Sequence, residues 1–374
     1  MRFSAKFLNT GYMRIHLFDP GYIRIGGHHV EWDSLIAREL AERGHEVRLY
    51  CSSEVTETAA QAFAAYGPVM PLFDVSPYAT LDDPQREQSF LLDAASSAGR
   101  VLKQAGAADL WLWPTLFPAH LLACAEADPA VPVAGCIHHE PGYLLPSGRK
   151  WWTLVFDKCR EAGLSPKLSA TTPALQALYA RIAPGISIGY APIAHDGLPP
   201  AKPKTRMRKI GFFGQQRREK GIDILGPLIA KLLDAGYEVV LHDSKGAPDI
   251  GSRTNLTTLG YLDDFAREIA RCDLVVTPYD PVRYHFRLSG IAAEALACGV
   301  PVVVPSATAS MRLVQESGAG VAFANRSTNS IFQAICTARN RYPELAQSAF
   351  TTSRAWPSRH GIGKFVEHLL GSAA

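Results

Sequence analysis

Two stretches of this chain share one syntax: LAERGHEVRLY at 40–50 and LLDAGYEVVLH at 232–242. Each is a helix end, a glycine stop and a β-rich run. Upstream of the first, Trp32, Leu35, Ile36 and Leu40 share one face of a helix expected over about 28–43. Upstream of the second, Ile222, Leu225, Ile229 and Leu232 do the same over 221–235. The stop glycines, Gly44 and Gly236, lie 192 residues apart in a chain of 374, about half its length. That spacing predicts two similar α/β domains in tandem.

Further strand-like runs support this. RIHLFD (14–19), DLWLW and VPVAGCI fall in the first half; residues 209–213, DLVVTP and PVVVP fall in the second. Strands alternating with helical periods predict parallel, doubly wound sheets, whose ligands bind outside the carboxyl ends of the strands. The Pro-rich, polar segment Ala191–Thr205 reads as the linker, and helices over 343–352 and about 358–370 close the chain.

Composition narrows the class. With 47% hydrophobic and 20% charged residues and a net charge of +3, the chain is ordinary globular protein and shows no nucleic-acid signature. It contains no apolar run of membrane-spanning length and no signal-peptide h-region, and residues 1–12, before Met13, receive no role. Seven scattered cysteines without a Cys-x-x-Cys pair read as free thiols in a reducing cytoplasm, the expected location. Oligomeric state leaves no mark on the sequence.

GFFGQQRREKG (211–221) carries the first chemical signal. An apolar strand runs into Gly214, then through a cationic turn with Gln215, Arg217, Arg218, Lys220 and Gly221, and restarts as a helix. Such turns hold phosphate, because backbone N–H groups and the positive helix end converge there; the other reading is a solvated connection. The second signal is DLVVTPYDPVRYHFRLSGIAAEALACGVPVVVP (273–305). Ser289 and Gly290 open a helix expected over 290–297, with Arg287 just before it to supply a charge-assisted bond. Glu294, one turn in, is a carboxylate among small apolar residues and needs a partner: a ribose diol, or a nearby Arg or Lys.

Together, GFFGQQRREKG and EALACGVPVVVP about seventy residues later resemble the nucleotide-sugar half of the retaining glycosyltransferases of family 4, with the GT-B fold. IGGHHVEWDSLIARELAERGHEV resembles that family's N-terminal Gly-Gly loop, here Gly26 and Gly27, and first helix. The resemblance implies two Rossmann-like doubly wound domains facing across a cleft. An acceptor-binding domain would span residues 1–196, a nucleotide-sugar domain 197–352, and a helix in 353–374 would cross back to the first. It implies metal-independent transfer, with retention, from a UDP- or GDP-sugar to a hydroxyl acceptor. The product would be a cell-surface polysaccharide, a glycolipid or a secondary-metabolite glycoside. No cofactor beyond the nucleoside diphosphate sugar is implied.

Residue by residue, Lys220 and Gly221 match the family's Lys-Gly pair, and Glu294 matches its ribose glutamate. The family's arginine position holds Gln215, with Arg217 or Arg218 close enough to compensate. Its first glutamate position holds Phe286, a departure that bears on the sugar more than on the nucleotide. VPVAGCIHHEPGY (131–143) places His138 where the family has a catalytic-pocket histidine, with His139 its neighbour and competitor. A zinc site of His28, His29, His138, His139 and Glu140 is the weaker alternative, for no His-Glu-x-x-His pattern supports it. The stretch 147–167, with Arg149, Lys150, Trp151, Trp152 and Phe156, reads either as core or as contact with a membrane or lipid-linked acceptor. Gln215 and Phe286 also leave open a catalytically silent nucleotide-binding protein, or a sugar-nucleotide epimerase of the same fold.

Overall fold

The computed structural model describes residues 11–25, 28–76, 78, 84–127, 131–191, 193–243, 253–260, 262 and 264–370. The chain divides into two compact units: one up to residue 192 together with the chain from Ile362 onward, the other Ile193–Gly361. The first holds β1 (Arg14–Asp19), β2 (Glu46–Ser52), β3 (Val69–Phe73), β4 (Leu110–Trp113), β5 (Val133–Ile137), β6 (Lys167–Ala170) and β7 (Ile188–Tyr190). They form one parallel sheet in the order β3-β2-β1-β4-β5-β6-β7. The second holds β8 (Lys209–Phe212), β9 (Glu238–His242), β10 (Leu256–Leu259), β11 (Leu274–Val276), β12 (Val302–Pro305) and β13 (Gly320–Phe323). These are parallel in the order β10-β9-β8-β11-β12-β13. Each sheet reverses its order at one place, between β1 and β4 in the first and between β8 and β11 in the second.

Continuous apolar strands form because both faces of a parallel sheet are covered. In the second unit successive side chains serve opposite cores. Leu274, Val276 and Val303 pack with Ile210, Phe212 and Leu225 on one face. Val275, Val302 and Val304 pack with Phe213, Ala293 and Leu296 on the other. Each strand is too short to be stable alone, so burial on two faces is what holds it.

Both repeated junctions form as the pattern predicts. His28–Glu42 and Ile222–Asp234 are helices, and Gly44 and Gly236 follow them at φ 86° and 82°. The second helix starts one residue late, because a single 3-10 turn, Arg218–Lys220, precedes it. The linker segment is not free: Gly197 lies against Ala297, and the Leu198 N–H points at Cys298 Sγ, 3.3 Å away. Residues 342–360 form a single helix that continues through Pro357 and stays with the second unit. Its buried Tyr342, Leu345, Ala349 and Trp356 explain that continuity better than the expected break near residue 352. The chain rejoins the first unit at the Ile362–Leu370 helix, where Phe365 meets Trp32 edge-on at 4.5 Å and Arg43 donates to the Gly363 carbonyl.

The stretch 147–167 forms a helix, Gly148–Glu161, and its aromatics are core residues. Trp151, Trp152 and Phe156 are buried, and the Trp151 indole donates to Glu87 Oε2 at 3.1 Å. The membrane reading of those rings is therefore corrected. Among the described residues no helix is long and apolar enough to cross a membrane.

Candidate functional site

In the second unit the cationic turn sits at the carboxyl end of β8, beside the strand-order reversal. Gly214 and Gly221 adopt φ 90° and 94°, where only glycine is unstrained. A side chain at Gly221 would meet the Pro278 carbonyl at 2.6 Å, so the turn is pressed onto the loop after β11. The Asp280 N–H donates to the Glu219 carbonyl at 2.8 Å and pins the same contact. From the other side, buried Gln216 donates to the carbonyls of Gly214 and His242, at 3.0 and 2.9 Å.

The consequence is a convergence of residues about seventy positions apart. A Cβ at Gly214 would lie 3.0 Å from Lys220 Nζ and 3.6 Å from Ile291 Cγ1. The ammonium and the first turn of the Gly290–Ala297 helix therefore meet over one glycine. Ser289 caps that helix, its hydroxyl accepting from the Ala292 N–H at 3.2 Å. Lys220 Nζ also lies 5.6 Å from the centroid of the Tyr279 ring, a cation–π contact. Burial pushes Lys220 down to about 8, the charges of Arg217 and Arg287 add to that, and Glu219 opposes it. A cation held among cations and short of water is prepared for an anion.

The structure assigns the other predicted residues distinct places. Gln215 Oε1 accepts from Arg217 Nε at 2.8 Å and also from its Nη2, so Gln215 carries the arginine instead of replacing it. The Arg218 side chain is exposed, and its carbonyl accepts from Arg326, at 3.2 Å. Arg287 packs its guanidinium over Tyr284 at 4.9 Å and donates to the Arg283 carbonyl. Glu294 is buried at 7% exposure within the helix that Ser289 opens. Phe286 is half-buried, edge-on to His285, and not part of either core cluster.

His195 was missed by the sequence reading, which assigned it to the linker. Its Cε1 and Nε2 lie 3.7 Å from where a Gly290 side chain would begin. Nε2 is buried with no hydrogen-bond partner among the described residues, and burial pushes the ring down to about 4. No local pattern signals this placement, since it depends on chain contacts made about a hundred residues later.

In the first unit, β5 ends at Ile137 and the two histidines part. His138 Nε2 lies 2.7 Å from the Pro114 carbonyl, which can only accept, so Nε2 bears the proton and Nδ1 is left as an acceptor. Burial pushes His138 down to about 4, so the ring is neutral. His139 instead stacks on Tyr143 at 3.9 Å and lines an apolar cavity with Leu116, Phe117, Leu145 and Tyr179. Gly26 and Gly27 lie outside the described residues, as does the His28 side chain. Among the described residues no group of three His, Cys, Asp or Glu is arranged to hold a metal.

Comparison with known proteins sets this geometry in context. Residues 207–340, within the second unit, match the model of the family described as "Glycosyl transferases group 1". Among solved structures, Anabaena HepE in complex with UDP-glucose is 17% identical, covering 96% of this chain and 98% of its own at a TM-score of 0.68. Sucrose-phosphate synthase from Thermosynechococcus elongatus is 13% identical, covering 94% and 96% at 0.67. A glycosyltransferase from Rickettsia africae is 12% identical, covering 96% and 99% at 0.66. The chain has the GT-B fold. No curated protein sequence matches it.

Proposed function

We propose that this protein is a glycosyltransferase that moves a sugar from a nucleoside diphosphate sugar to a hydroxyl acceptor. One observation carries the reading: Lys220 Nζ and the Ser289-capped helix start meet over Gly214 at the strand-order reversal of the second unit. A diphosphate seated there would meet a fixed cation and helix N–H groups, the arrangement that stabilises a leaving anion electrostatically. The family match over residues 207–340 and the likeness to a fold whose HepE example binds UDP-glucose support this choice of ligand. Arg217, carried by Gln215, would supply the second cation, so charge neutralisation would come from the chain itself. Glu294 would hold the ribose hydroxyls.

His138 belongs to the first unit, which would take the acceptor. Its free Nδ1 lone pair can accept from a sugar hydroxyl. Following the resemblance, we take the transfer to retain anomeric configuration, with attack on the face that the diphosphate leaves. Proton NMR of the first-formed product reads this directly, and an inverted anomeric centre would sink the retaining course. A melting-temperature screen of UDP, GDP and ADP and their glucose conjugates tests the donor class, since ligands of the folded state raise its melting point. No shift with any of them would remove the nucleotide reading.

Glu294→Gln is expected to weaken UDP or GDP while leaving inorganic diphosphate nearly unchanged, as calorimetry would show. Loss of both together would make Glu294 a structural residue. Gln215 and Phe286 in donor positions favour one second reading, a silent nucleotide-binding protein. Its mark would be UDP binding without turnover.

A further inference from the structure

The loop between β11 and the Ser289-capped helix carries two tyrosines whose rings join neither core cluster of the second unit. Both are nonetheless buried, Tyr279 at 4% exposure and Tyr284 at 8%. They pack on each other, with centroids 4.4 Å apart and planes tilted by 42°. Each also carries a cation. Lys220 Nζ lies 5.6 Å from the centre of the Tyr279 ring, and the Arg287 guanidinium carbon lies 4.9 Å from the centre of the Tyr284 ring. The face of an aromatic ring is its negative part, so both contacts are attractive.

The backbone fixes this pair from three sides. The Asp280 N–H donates to the Glu219 carbonyl at 2.8 Å, which ties the start of the loop to the cationic turn. The Tyr284 N–H donates to the Asp280 carbonyl at 3.0 Å and closes the loop on itself. The Tyr284 carbonyl accepts from the Ala309 N–H at 3.2 Å, at the start of the Ala309–Ser317 helix. The Tyr279 hydroxyl, by contrast, is buried with no hydrogen-bond partner among the described residues. A buried hydroxyl left that way costs stability, and phenylalanine would avoid the cost. What Tyr279 contributes is its ring.

Like charges need such support here. Burial, then the charges of Arg217 and Arg287, disfavours the protonated form of Lys220; Glu219 opposes them but pairs with Arg217, 3.7 Å away. A further carboxylate would hold these cations in place, but it would cancel their charge and repel an incoming phosphate. A ring face holds a cation and leaves its charge whole. We propose that Tyr279 and Tyr284 form a two-ring platform that holds Lys220 and Arg287 in place for the donor's diphosphate. This rests on the nucleotide-sugar reading. The cations make the contact with phosphate; the rings are positioning residues. The platform adds Arg287 beside Lys220 in a site whose arginine position, by the family resemblance, holds Gln215.

The test is calorimetry with whichever of UDP, GDP and ADP the wild type binds most tightly, with its nucleoside, and with inorganic diphosphate. Tyr279→Leu is expected to weaken the nucleotide and inorganic diphosphate alike, about five- to tenfold, and the nucleoside hardly at all. Tyr284→Leu should weaken both by about two- to fourfold, because Arg287 is less buried than Lys220. Tyr279→Phe keeps the ring face and should bind within about twofold of wild type, melting no lower, since the unpartnered hydroxyl is gone. Pentafluorophenylalanine in place of Tyr279 keeps the ring's shape but reverses the charge of its face. It should bind like Tyr279→Leu, and it answers the question if leucine unfolds the loop. In a Lys220→Met background, Tyr279→Leu should cost nothing further. Wild-type affinity with the fluorinated ring overturns the platform, and so does an equal loss from Tyr279→Leu once the lysine is gone, which would make Tyr279 a residue that only shapes the loop. Wild-type protein that binds none of UDP, GDP and ADP overturns the nucleotide reading, and the platform with it.

Discussion

Replacing Lys220 by methionine is expected to weaken UDP binding about ten- to a hundredfold, the loss of one charge-assisted hydrogen bond worth about 1.5–3 kcal/mol. Nucleoside binding should barely change. The same substitution is expected to stabilise the unliganded protein at neutral pH. The sign follows from linkage. Lys220 sits at about 8 when folded against 10.5 when unfolded, so between those values the unfolded chain binds more protons and stability rises with pH. Below about 8 the folded protein carries the full cost of a cation in a crowded cationic site. Methionine removes that cost, on the order of 2 kcal/mol, while keeping the stem's packing. UDP affinity of the wild type should fall as pH rises through about 8, as the lysine loses its proton, and the methionine variant should lack this limb. Calorimetry at three pH values measures the affinities and thermal melting the stability. A variant that binds UDP like wild type would return the turn to a surface connection.

His138→Ala is expected to reduce turnover about a hundredfold with donor affinity nearly unchanged. It should also cost roughly 1–3 kcal/mol of stability, because the buried Pro114 carbonyl loses its donor. His138→Gln separates the two effects: the amide can donate to Pro114 and restore the melting temperature without restoring the rate. Because burial holds His138 down to about 4, its protonation should give the rate no acid limb above about pH 5. His139→Ala should leave turnover largely intact, since that ring stacks on Tyr143 in an apolar cavity. If the alanine at 139 is the inactive variant, the roles of the two histidines are exchanged.

Much of the molecule follows from local pattern. Arg14–Asp19, Glu238–His242 and the Gly290–Ala297 helix form where periodicity and capping place them. Gly44 and Gly236 stop helices because a glycine accepts positive φ at no steric cost. These choices involve only neighbours along the chain, and a fold of two doubly wound domains is their sum. Helix ends are less legible. Two helices are expected, over 343–352 and about 358–370, yet Tyr342–His360 is one helix, held through the expected gap by buried Ser353 and Trp356.

The site's meetings are another matter. Lys220 reaches Gly214 and Ile291 only because β8 lies beside β11, which brings the turn against Pro278 and the loop that leads to the Gly290 helix. Nothing near Gln215 predicts that it would carry Arg217, and nothing near His195 that it would face Gly290. In the sequence Asp19 and Asp33 are a strand end and a helix position, and His29 enters only through the zinc alternative. Tyr78 joins them from a loop about fifty residues on, and burial then decides which carboxyl keeps its proton. Periodicity reports which side of an element is apolar. Hydrogen-bond partners, proton positions and charge repulsion depend on distances across strands, which only the strand order of the folded sheets sets.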